Sequence, residues 1–405
     1  MRFFLWLHDQ TSGDRPHTSA GPRRAKPRSA PRSRLQFEAL EDRRVLSTVT
    51  VFNILDSGTG SLRAAVAAAH RGDTIAFASS LAGQTITLTS GELFLKQDVT
   101  IAGPGTGPVT ISGNNASRVF ELSSKTKPQV TLSGLTISDG YAPGPFGYST
   151  DNGGGILNEG ALTVRNCILS HNSAPIGAGI LNDSGATLTI VSSALTGNSG
   201  RDERGSSMGG GIANFGTLVV HGSTFSYNSV SGPGGAIYNI TGAVTIDGQS
   251  VLSHNSAGAG GAIGGSVGLN RALTISDSTF SDNSAVNGNG GAISFSGTLT
   301  LNGCTMEGNS AGLRGGAICV GAGSLGSAVT ISGCTITGNS ASQGGGIYAT
   351  NNNSGTGSAT VTVENTSSIV GNTASAGADV ENLAVLYLDS TSTIAILDGN
   401  AAVPI

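Results

Sequence analysis

The stretch GGAISFSGTLTLNGCTMEGNSAGLR, residues 290 to 314, decides the fold because seven other stretches repeat its landmarks in the same order. Each repeat has an Asn near its end, a Cys or Ser five positions before that Asn, and an apolar-Thr-apolar segment earlier still. The eight Asn residues are Asn172, Asn198, Asn228, Asn255, Asn283, Asn309, Asn339 and Asn372. Their spacings of 26, 30, 27, 28, 26, 30 and 33 residues indicate a solenoid, and the period-two alternation predicts strands.

The repeat also predicts what fills the interior. Coils stacked as parallel strands roughly 4.8 Å apart place equivalent residues above one another. We therefore expect inward ladders of apolar residues, of Cys or Ser, and of Asn, whose amides bond the turn or the Asn of the next coil. Glycine, which readily adopts positive φ, suits the corner that enters each coil. The predicted fold class is all-β, a right-handed parallel β-helix of the pectate-lyase-like kind, with a short N-terminal capping helix.

Composition agrees with thin coils and excludes several classes of protein. Of 405 residues 63 are Gly, and only 11% are charged, so a helical bundle is excluded. No run reaches 18 apolar residues, and no transmembrane helix is expected. The net charge of -4 combines a basic stretch, residues 1 to 50, with an acidic remainder that carries 11 basic and 20 acidic residues. A nucleic-acid partner is therefore not expected, because phosphate contact needs a basic face.

The order of segments along the chain predicts four regions. Residues 1–47 form a disordered basic leader, 48–128 the N-terminal cap and first coils, 129–380 the repeated coils, and 381–405 a terminal coil or tail. The segment SLRAAVAAAHRG predicts the capping helix, with Ser61 as its N-cap and Gly72 beyond its end. The tail alternates like two more strands and has no obvious cap of its own.

The end of the leader, LQFEALEDRRVLS at residues 35–47, carries the first family resemblance. It resembles the F-E-x-L-E-x-R-x-L-L-S motif found near the start of large secreted surface proteins of planctomycete bacteria, with Val45 in a usual leucine place. That resemblance implies export from the cytoplasm. The following stretch, GSLRAAVAAAHRGDTIAF through VTIAGPG, resembles the entry region of bacterial secreted β-helix proteins.

The repeats resemble the polymorphic outer-membrane-protein repeats of chlamydial surface proteins, whose landmarks are GGA(I/L/V) and FxxN. GGAI stands at 234–237, 260–263, 290–293 and 315–318, and FxxN at 225–228 and 280–283. In that family the repeats form the passenger of an autotransporter implicated in adhesion. Only 25 residues follow Val380 here, so the resemblance does not imply self-translocation.

Four cysteines are the first candidates for chemistry. Cys167, Cys304 and Cys334 share the inward ladder position that Ser fills in the other repeats, which favours buried free thiols. Cys304 and Cys334 fall in adjacent coils, and a disulfide between them remains an alternative, although their parallel side chains suit the bond poorly. No CxxC pair occurs, so a zinc site is not expected.

A β-helix also raises the alternative of a polysaccharide lyase or hydrolase, which would need clustered carboxylates and a base. The loop-borne acids that would have to converge are Asp151, Glu159, Asp202 and Glu203. We interpret His171 and His254 as exposed turn residues, and we assign His221 no catalytic partner. Asp277 and Asp282 lie on one strand and its turn, and they are the alternative considered for a calcium site. No catalytic, cofactor-binding or metal-binding residue is assigned, and no cofactor is expected.

One charged insertion stands out within the repeats. The candidate surface-recognition loop is Arg201, Asp202, Glu203 and Arg204, because loops on a rigid scaffold often carry recognition. We therefore expect an exported extracellular or cell-surface protein with a structural, adhesive or glycan-binding role and a polysaccharide or cell-surface partner. The enzyme of the pectate-lyase-like class is the alternative.

Overall fold

The computed structural model describes residues 46–143, 152–200, 206–265, 272–321, 326–351 and 358–405. The described chain is an all-β parallel β-solenoid of about 12 turns, so the predicted parallel β-helix is confirmed. Each full turn contributes one strand to each of three parallel sheets, called sheets 1, 2 and 3. Along the chain, a sheet 3 strand is followed by one of sheet 1 and then one of sheet 2.

Sheet 1 is the longest, with 14 strands that pair in sequence order. In each central strand two apolar side chains point inward and the Thr or Val between them points outward, as in Leu299-Thr300-Leu301. The strands are Thr48–Val51, Asp73–Phe77, Val99–Ala102, Gln129–Ser133, Ala161–Arg165, Thr187–Val191, Thr217–His221, Val244–Asp247, Ala272–Ser276, Thr298–Asn302, Ser327–Ser332, Ala359–Glu364, Val385–Leu388 and Val403–Pro404.

Sheets 2 and 3 have 12 short strands each. Sheet 2 contains Thr85–Thr87, Val109–Ser112, Leu135–Ser138, Ile168–Ser170, Ala194–Thr196, Thr224–Ser226, Val251–Ser253, Thr279–Ser281, Thr305–Glu307, Thr335–Thr337, Ser368–Val370 and Thr393–Ile394. Sheet 3 contains Leu93–Leu95, Phe120–Leu122, Ile156–Asn158, Ile180–Asn182, Ile212–Asn214, Ile237–Asn239, Ile263–Gly265, Ile293–Phe295, Ile318–Gly321, Ile347–Thr350, Val380–Leu383 and Leu397–Gly399. A small sheet 4 follows the Asn turns and contains Ser256–Ala257, Ser284–Ala285 and Ser310–Ala311.

The predicted capping helix is confirmed as Leu62–Ala68 at the N-terminal end of the stack. The Ser61 side chain accepts a hydrogen bond from the Ala64 N–H at 3.2 Å, which is the predicted N-cap. Leu62 and Ala65 are buried against the first coil. A short 3-10 helix, Ser79–Leu81, follows within the entry coils.

The predicted Asn ladder is confirmed. All eight Asn side chains are buried, and Nδ2 of each of the first seven donates to Oδ1 of the Asn one coil later over 2.8 to 3.0 Å. The same Oδ1 accepts the backbone N–H of the earlier Asn, so each rung is held twice. The ladder ends where Asn372 donates to the Asp379 carboxylate at 2.9 Å. The other carboxylate oxygen of Asp379 accepts the N–H of Ile396.

Two further ladders fix the other corners. A second Asn ladder at the ends of sheet 3 strands joins Asn158, Asn182, Asn214 and Asn239 over 2.7 to 2.9 Å. At the corner between sheets 1 and 2, the predicted Ser/Cys column is buried, and backbone N–H groups donate to the Ser hydroxyl or Cys sulfur of the next coil. The ladders therefore satisfy buried polar groups at these corners by bonding equivalent residues of successive coils.

Glycine is required at the corner that leads into sheet 3. Gly290 has a φ of 69°, and a Cβ on it would lie 2.2 Å from the carbonyl oxygen of Ile293. The same geometry recurs at Gly315, one coil later. No larger residue fits there without displacing the backbone, which explains the predicted glycine corner.

The sheets continue through residues 128 and 380, so the region boundaries expected there mark positions along one stack. The tail was expected to form two strands, but it holds all or part of five. They are the end of Val380–Leu383 in sheet 3, Val385–Leu388 in sheet 1, Thr393–Ile394 in sheet 2, Leu397–Gly399 in sheet 3 and Val403–Pro404 in sheet 1. Ile396, Leu397 and Val403 of the last coil are exposed.

Candidate functional site

The candidate recognition loop, Arg201 to Arg204, lies outside the described residues and stays a prediction. Asp151 is outside them as well, so Glu159 is the one described residue among the four acids considered for an enzyme. The sites below are built from residues that the structure describes.

Glu159 lies beside a second carboxyl group. It follows the sheet 3 strand Ile156–Asn158, and Asp183 follows the register-paired strand of the next coil. Burial raises the pKa of Glu159, and the negative charge of Asp183 raises it further, while the Arg118 and Lys127 charges oppose the shift. Two carboxyl groups one coil apart, one of which keeps its proton more readily, are the minimum for acid–base chemistry.

The residues just before the ladder Asn residues form a row along the turn after sheet 2, here called the turn row. Its members are Asp139, His171, Gly197, Tyr227, His254, Asp282, Gly308, Gly338 and Gly371, and all but Asp139 directly precede a ladder Asn. Every member has positive φ, between 52° and 70°. A residue with a side chain pays about 1–2 kcal/mol for this left-handed conformation, whereas glycine does not.

The turn row carries exposed aromatic rings. His171 and His254 are exposed at equivalent turn positions, as the sequence predicted. Tyr227 is 62% exposed, and its ring stacks on that of His254 with centroids 4.9 Å apart and planes inclined by 28°. The next member, Asp282, brings a carboxylate oxygen to 3.7 Å from His254 Nε2. The sequence reading missed Tyr227 as part of this row.

Hydroxyl groups lie on both sides of the turn row. On the sheet 2 side the preceding residues are Ser170, Thr196, Ser226, Ser253 and Ser281. Ser226 Oγ donates to Thr196 Oγ1 at 3.1 Å. On the other side the residues after the Asn ladder form a Ser column, in which Ser229 Oγ donates to Ser199 Oγ at 3.3 Å. The row is therefore an aromatic strip between two lines of hydrogen-bonding groups.

His221 has a partner that the sequence reading did not assign. Its Nδ1 lies 2.7 Å from Asp247 Oδ1, and both side chains are largely exposed at the corner between sheets 1 and 2. Asp277 occupies the same corner further along the stack, in a left-handed turn with a φ of 48°. Within the described ranges, no three His, Cys, Asp or Glu side chains gather in a way that could hold a metal ion.

A second cluster lies on the outer face of sheet 3 near the end of the repeats. The Arg314 guanidinium lies 4.9 Å from the Tyr348 ring centroid, and Arg314 Nε donates to Gln343 Oε1 at 3.0 Å. Beyond them Glu381 is 7% exposed, and its buried Oε2 has no hydrogen-bond partner in the described chain. Burial raises the pKa of Glu381, and Asp398, its register partner in the next coil, raises it further.

Four cysteines are free and buried, which confirms the free-thiol interpretation and not the Cys304–Cys334 bridge. Burial raises the pKa of Cys167 to about 11 and that of Cys319 to about 12. Contact with the Cys334 sulfur, together with burial, raises the pKa of Cys304. The hydrogen bond with Cys304 lowers the pKa of Cys334. The other three thiols stay protonated, which makes them poor nucleophiles and poor metal ligands, so they serve packing.

At the N-terminal end, a cavity of about 340 Å³ lies between the capping helix and the first strand of sheet 3. The Arg63 guanidinium on its wall is held by Asp56 at 2.8 Å and by the carbonyl oxygen of Glu92. Burial alone would raise the pKa of Asp56, but hydrogen bonds from Ser90, Arg63 and Thr89 lower it to about 2. This arrangement ties the helix to the sheet.

The described residues include no helix that is long and apolar enough to cross a membrane.

Three stretches of the repeat match a known family. Residues 222–240, 277–296 and 333–350 match the family described as the Chlamydia polymorphic membrane protein repeat. Each match runs from the corner before a sheet 2 strand, through a ladder Asn, to a sheet 3 strand. No curated protein matches the chain. Among solved structures, the crystal structure of pectate lyase Pel9A is similar with a TM-score of 0.38 and 17% identity, over 88% of this chain and 80% of that one.

Proposed function

We propose that the chain is an exported β-helix protein of the cell surface or extracellular space whose role is adhesion or glycan binding. The observation that carries the proposal is the long outer face of sheet 1. A Thr or Val stands at its centre in every coil from Thr74 to Thr362, held in register by the buried ladders.

Such a face offers hydroxyl groups at intervals of roughly 4.8 Å, the strand spacing, on a support that does not need to reorganise. Repeated hydroxyl groups on a rigid strip are suited to many weak hydrogen bonds with a repeating polyhydroxyl polymer, and such bonds add up through multivalency. The match to repeats described as those of a polymorphic membrane protein supports a place at a surface, as does the sorting-type motif at residues 35–47.

The test combines location, binding and turnover. The full chain is followed by cell fractionation and surface protease accessibility, and purified protein is applied to a glycan array. Assays for unsaturated products and for new reducing ends run in parallel on pooled acidic and neutral polysaccharides. Binding without turnover on a protein found outside the cytosol is the expected result. A cytosolic protein that binds no glycan and no cells contradicts the proposal.

A polysaccharide hydrolase or lyase is the second candidate, supported by the raised pKa of Glu159 beside Asp183. If turnover is seen in the same assays, Glu159→Gln should abolish it while leaving the unfolding midpoint close to that of the wild type. Turnover that persists in Glu159→Gln would exclude this carboxyl pair as its source.

A further inference from the structure

The turn row carries large side chains in the middle of the stack and glycine toward its C-terminal end. At its last three positions, Gly308, Gly338 and Gly371, the row uses glycine, the residue that adopts positive φ without strain. At Tyr227 and His254 it keeps large side chains in the same left-handed conformation, with φ of 55° at both. Backbone strain retained at particular positions is a reason to look for a function there.

These rings do nothing for the core. Tyr227 is 62% exposed and His254 is also exposed, while the interior beneath them is already filled by the Asn ladder and by buried Phe225 and Leu252. Exposed aromatic side chains stacked along a surface are suited to a ligand that offers a flat apolar face.

The row also contains one position without a side chain between two rings, here called the open rung. Gly197 separates His171 from Tyr227, and a Cβ built on it would lie 3.5 Å from the His171 ring. Tyr227 and His254, which occupy adjacent coils, stack at 4.9 Å, close to the strand spacing of roughly 4.8 Å. A ring of a ligand placed over Gly197 would therefore meet His171 on one side and Tyr227 on the other at a comparable spacing.

We propose that the turn row from His171 to Asp282 is a binding platform for a neutral polysaccharide, an inference that rests on the proposed glycan-binding function. The apolar faces of sugar rings stack on Tyr227 and His254 and enter the rung over Gly197. Sugar hydroxyl groups bond the flanking Ser and Thr hydroxyls, and the Asp282 carboxylate accepts from them.

Charge selects neutral over anionic chains. The row contains the carboxylates of Asp139 and Asp282 and no Lys or Arg, and residues 51 to 405 carry 11 basic and 20 acidic side chains. A uronate polymer would meet like charge at these two carboxylates and no Lys or Arg among the members of the row.

Because the turn prefers glycine, substitution there can remove the platform without harming the fold. Tyr227→Gly and His254→Gly replace strained residues with the one that the turn accommodates best. The matched control is Asp277→Gly, which also replaces a residue of positive φ by glycine. Asp277 lies at the corner between sheets 1 and 2, away from the turn row. A fourth variant, Gly197→Tyr, fills the open rung.

The experiment is affinity gel electrophoresis of the full chain in gels containing glucomannan, xyloglucan or laminarin, with polygalacturonate as the anionic comparison. We expect retardation by at least one neutral polymer, dissociation constants raised roughly tenfold by Tyr227→Gly and by His254→Gly, and no change in Asp277→Gly. Gly197→Tyr should alter the affinity, since it occupies the rung that a sugar ring would enter. Thermal unfolding of all variants confirms that they are folded.

The outcomes separate the two proposals. Retardation that Tyr227→Gly and His254→Gly leave unchanged overturns the platform but leaves glycan binding in place, with another face as the site. Retardation by polygalacturonate alone overturns the choice of a neutral ligand and the platform with it. Absence of retardation by every polymer, together with an empty glycan array, overturns the proposed function as well.

Discussion

Asn255→Ala tests whether the buried ladder holds the coils together. Asn255 is fully buried, and its Nδ2 donates to Asn283 Oδ1 at 2.9 Å and to the Phe225 carbonyl oxygen at 2.9 Å. Its Oδ1 accepts from the backbone N–H of Asn228 at 3.1 Å and from Asn228 Nδ2 at 3.0 Å. Alanine removes all four hydrogen bonds at once.

The magnitude follows from which groups lose their partner. The Asn228 N–H loses its acceptor, and the Phe225 carbonyl loses the Nδ2 donor. Asn228 Nδ2 keeps the Leu195 carbonyl oxygen, and Asn283 Oδ1 keeps the backbone N–H of residue 255, which substitution does not remove. Two buried polar groups at about 1–3 kcal/mol each give a destabilisation of about 2–6 kcal/mol.

The assay is urea unfolding followed by circular dichroism, with Asn302→Ala as the matched control. Asn302 is an exposed Asn at the end of a sheet 1 strand, and its loss should change the free energy of unfolding by less than about 0.5 kcal/mol. Asn255→Asp adds a second check, because an ionised carboxylate accepts from Asn228 but cannot donate to Asn283. That variant should gain stability as the pH falls and its carboxyl group takes up a proton. Equal unfolding midpoints for Asn255→Ala and Asn302→Ala would refute the reasoning.

Three shorter predictions concern titratable groups. Glu381→Gln should stabilise the protein at pH 8, because the raised pKa means that the ionised carboxylate opposes folding. The gain in stability should shrink as the pH falls and the wild-type Glu381 takes up a proton. Urea unfolding midpoints at pH 8 and pH 4 measure this difference. Asp56 has a lowered pKa, so the stability that its ionised carboxylate contributes should be complete above about pH 4 and be lost toward pH 2. Asp56→Asn should remove this loss of stability in acid, measured as the rate of limited proteolysis of the capping helix against pH. Four thiols should react with a thiol reagent in denaturant and almost none in the native protein, whereas two reactive thiols would indicate a disulfide between Cys304 and Cys334.

Much of the fold could be predicted because each interior position repeats once per coil. The ladder Asn residues recur within a narrow range of spacings, so their stacking follows from the strand spacing alone. The capping helix was readable from local signals, with Ser61 before an apolar spacing of three and four residues. The second Asn ladder was also within reach, since Asn158 and Asn182 both end an Ile-Leu-Asn triplet, but that signal fades after Asn239.

The surface clusters could not be predicted in the same way. Arg314 meets Tyr348 and Gln343 across segments whose length from ladder Asn to sheet 3 varies between coils, so counting residues does not give their register. The stacking of Tyr227 on His254 depends on the direction in which side chains leave a left-handed turn. The sequence shows only that the turn row varies, and variation on a surface carries no periodic signal.

The direction of the Asn ladder explains why its last acceptor is not another Asn. Each rung donates toward the C-terminal end and accepts from the N-terminal end, so the final rung must face a group that only accepts. Asp379 meets this condition, since one oxygen accepts from Asn372 and the other from the Ile396 N–H. An amide there would turn an NH2 group toward one of those donors. Neighbouring coils thus dictate the residues of the interior. Within the described coils Tyr227 is 62% exposed, at a turn that glycine fills without strain. Its presence there is better explained by the proposed ligand than by stability.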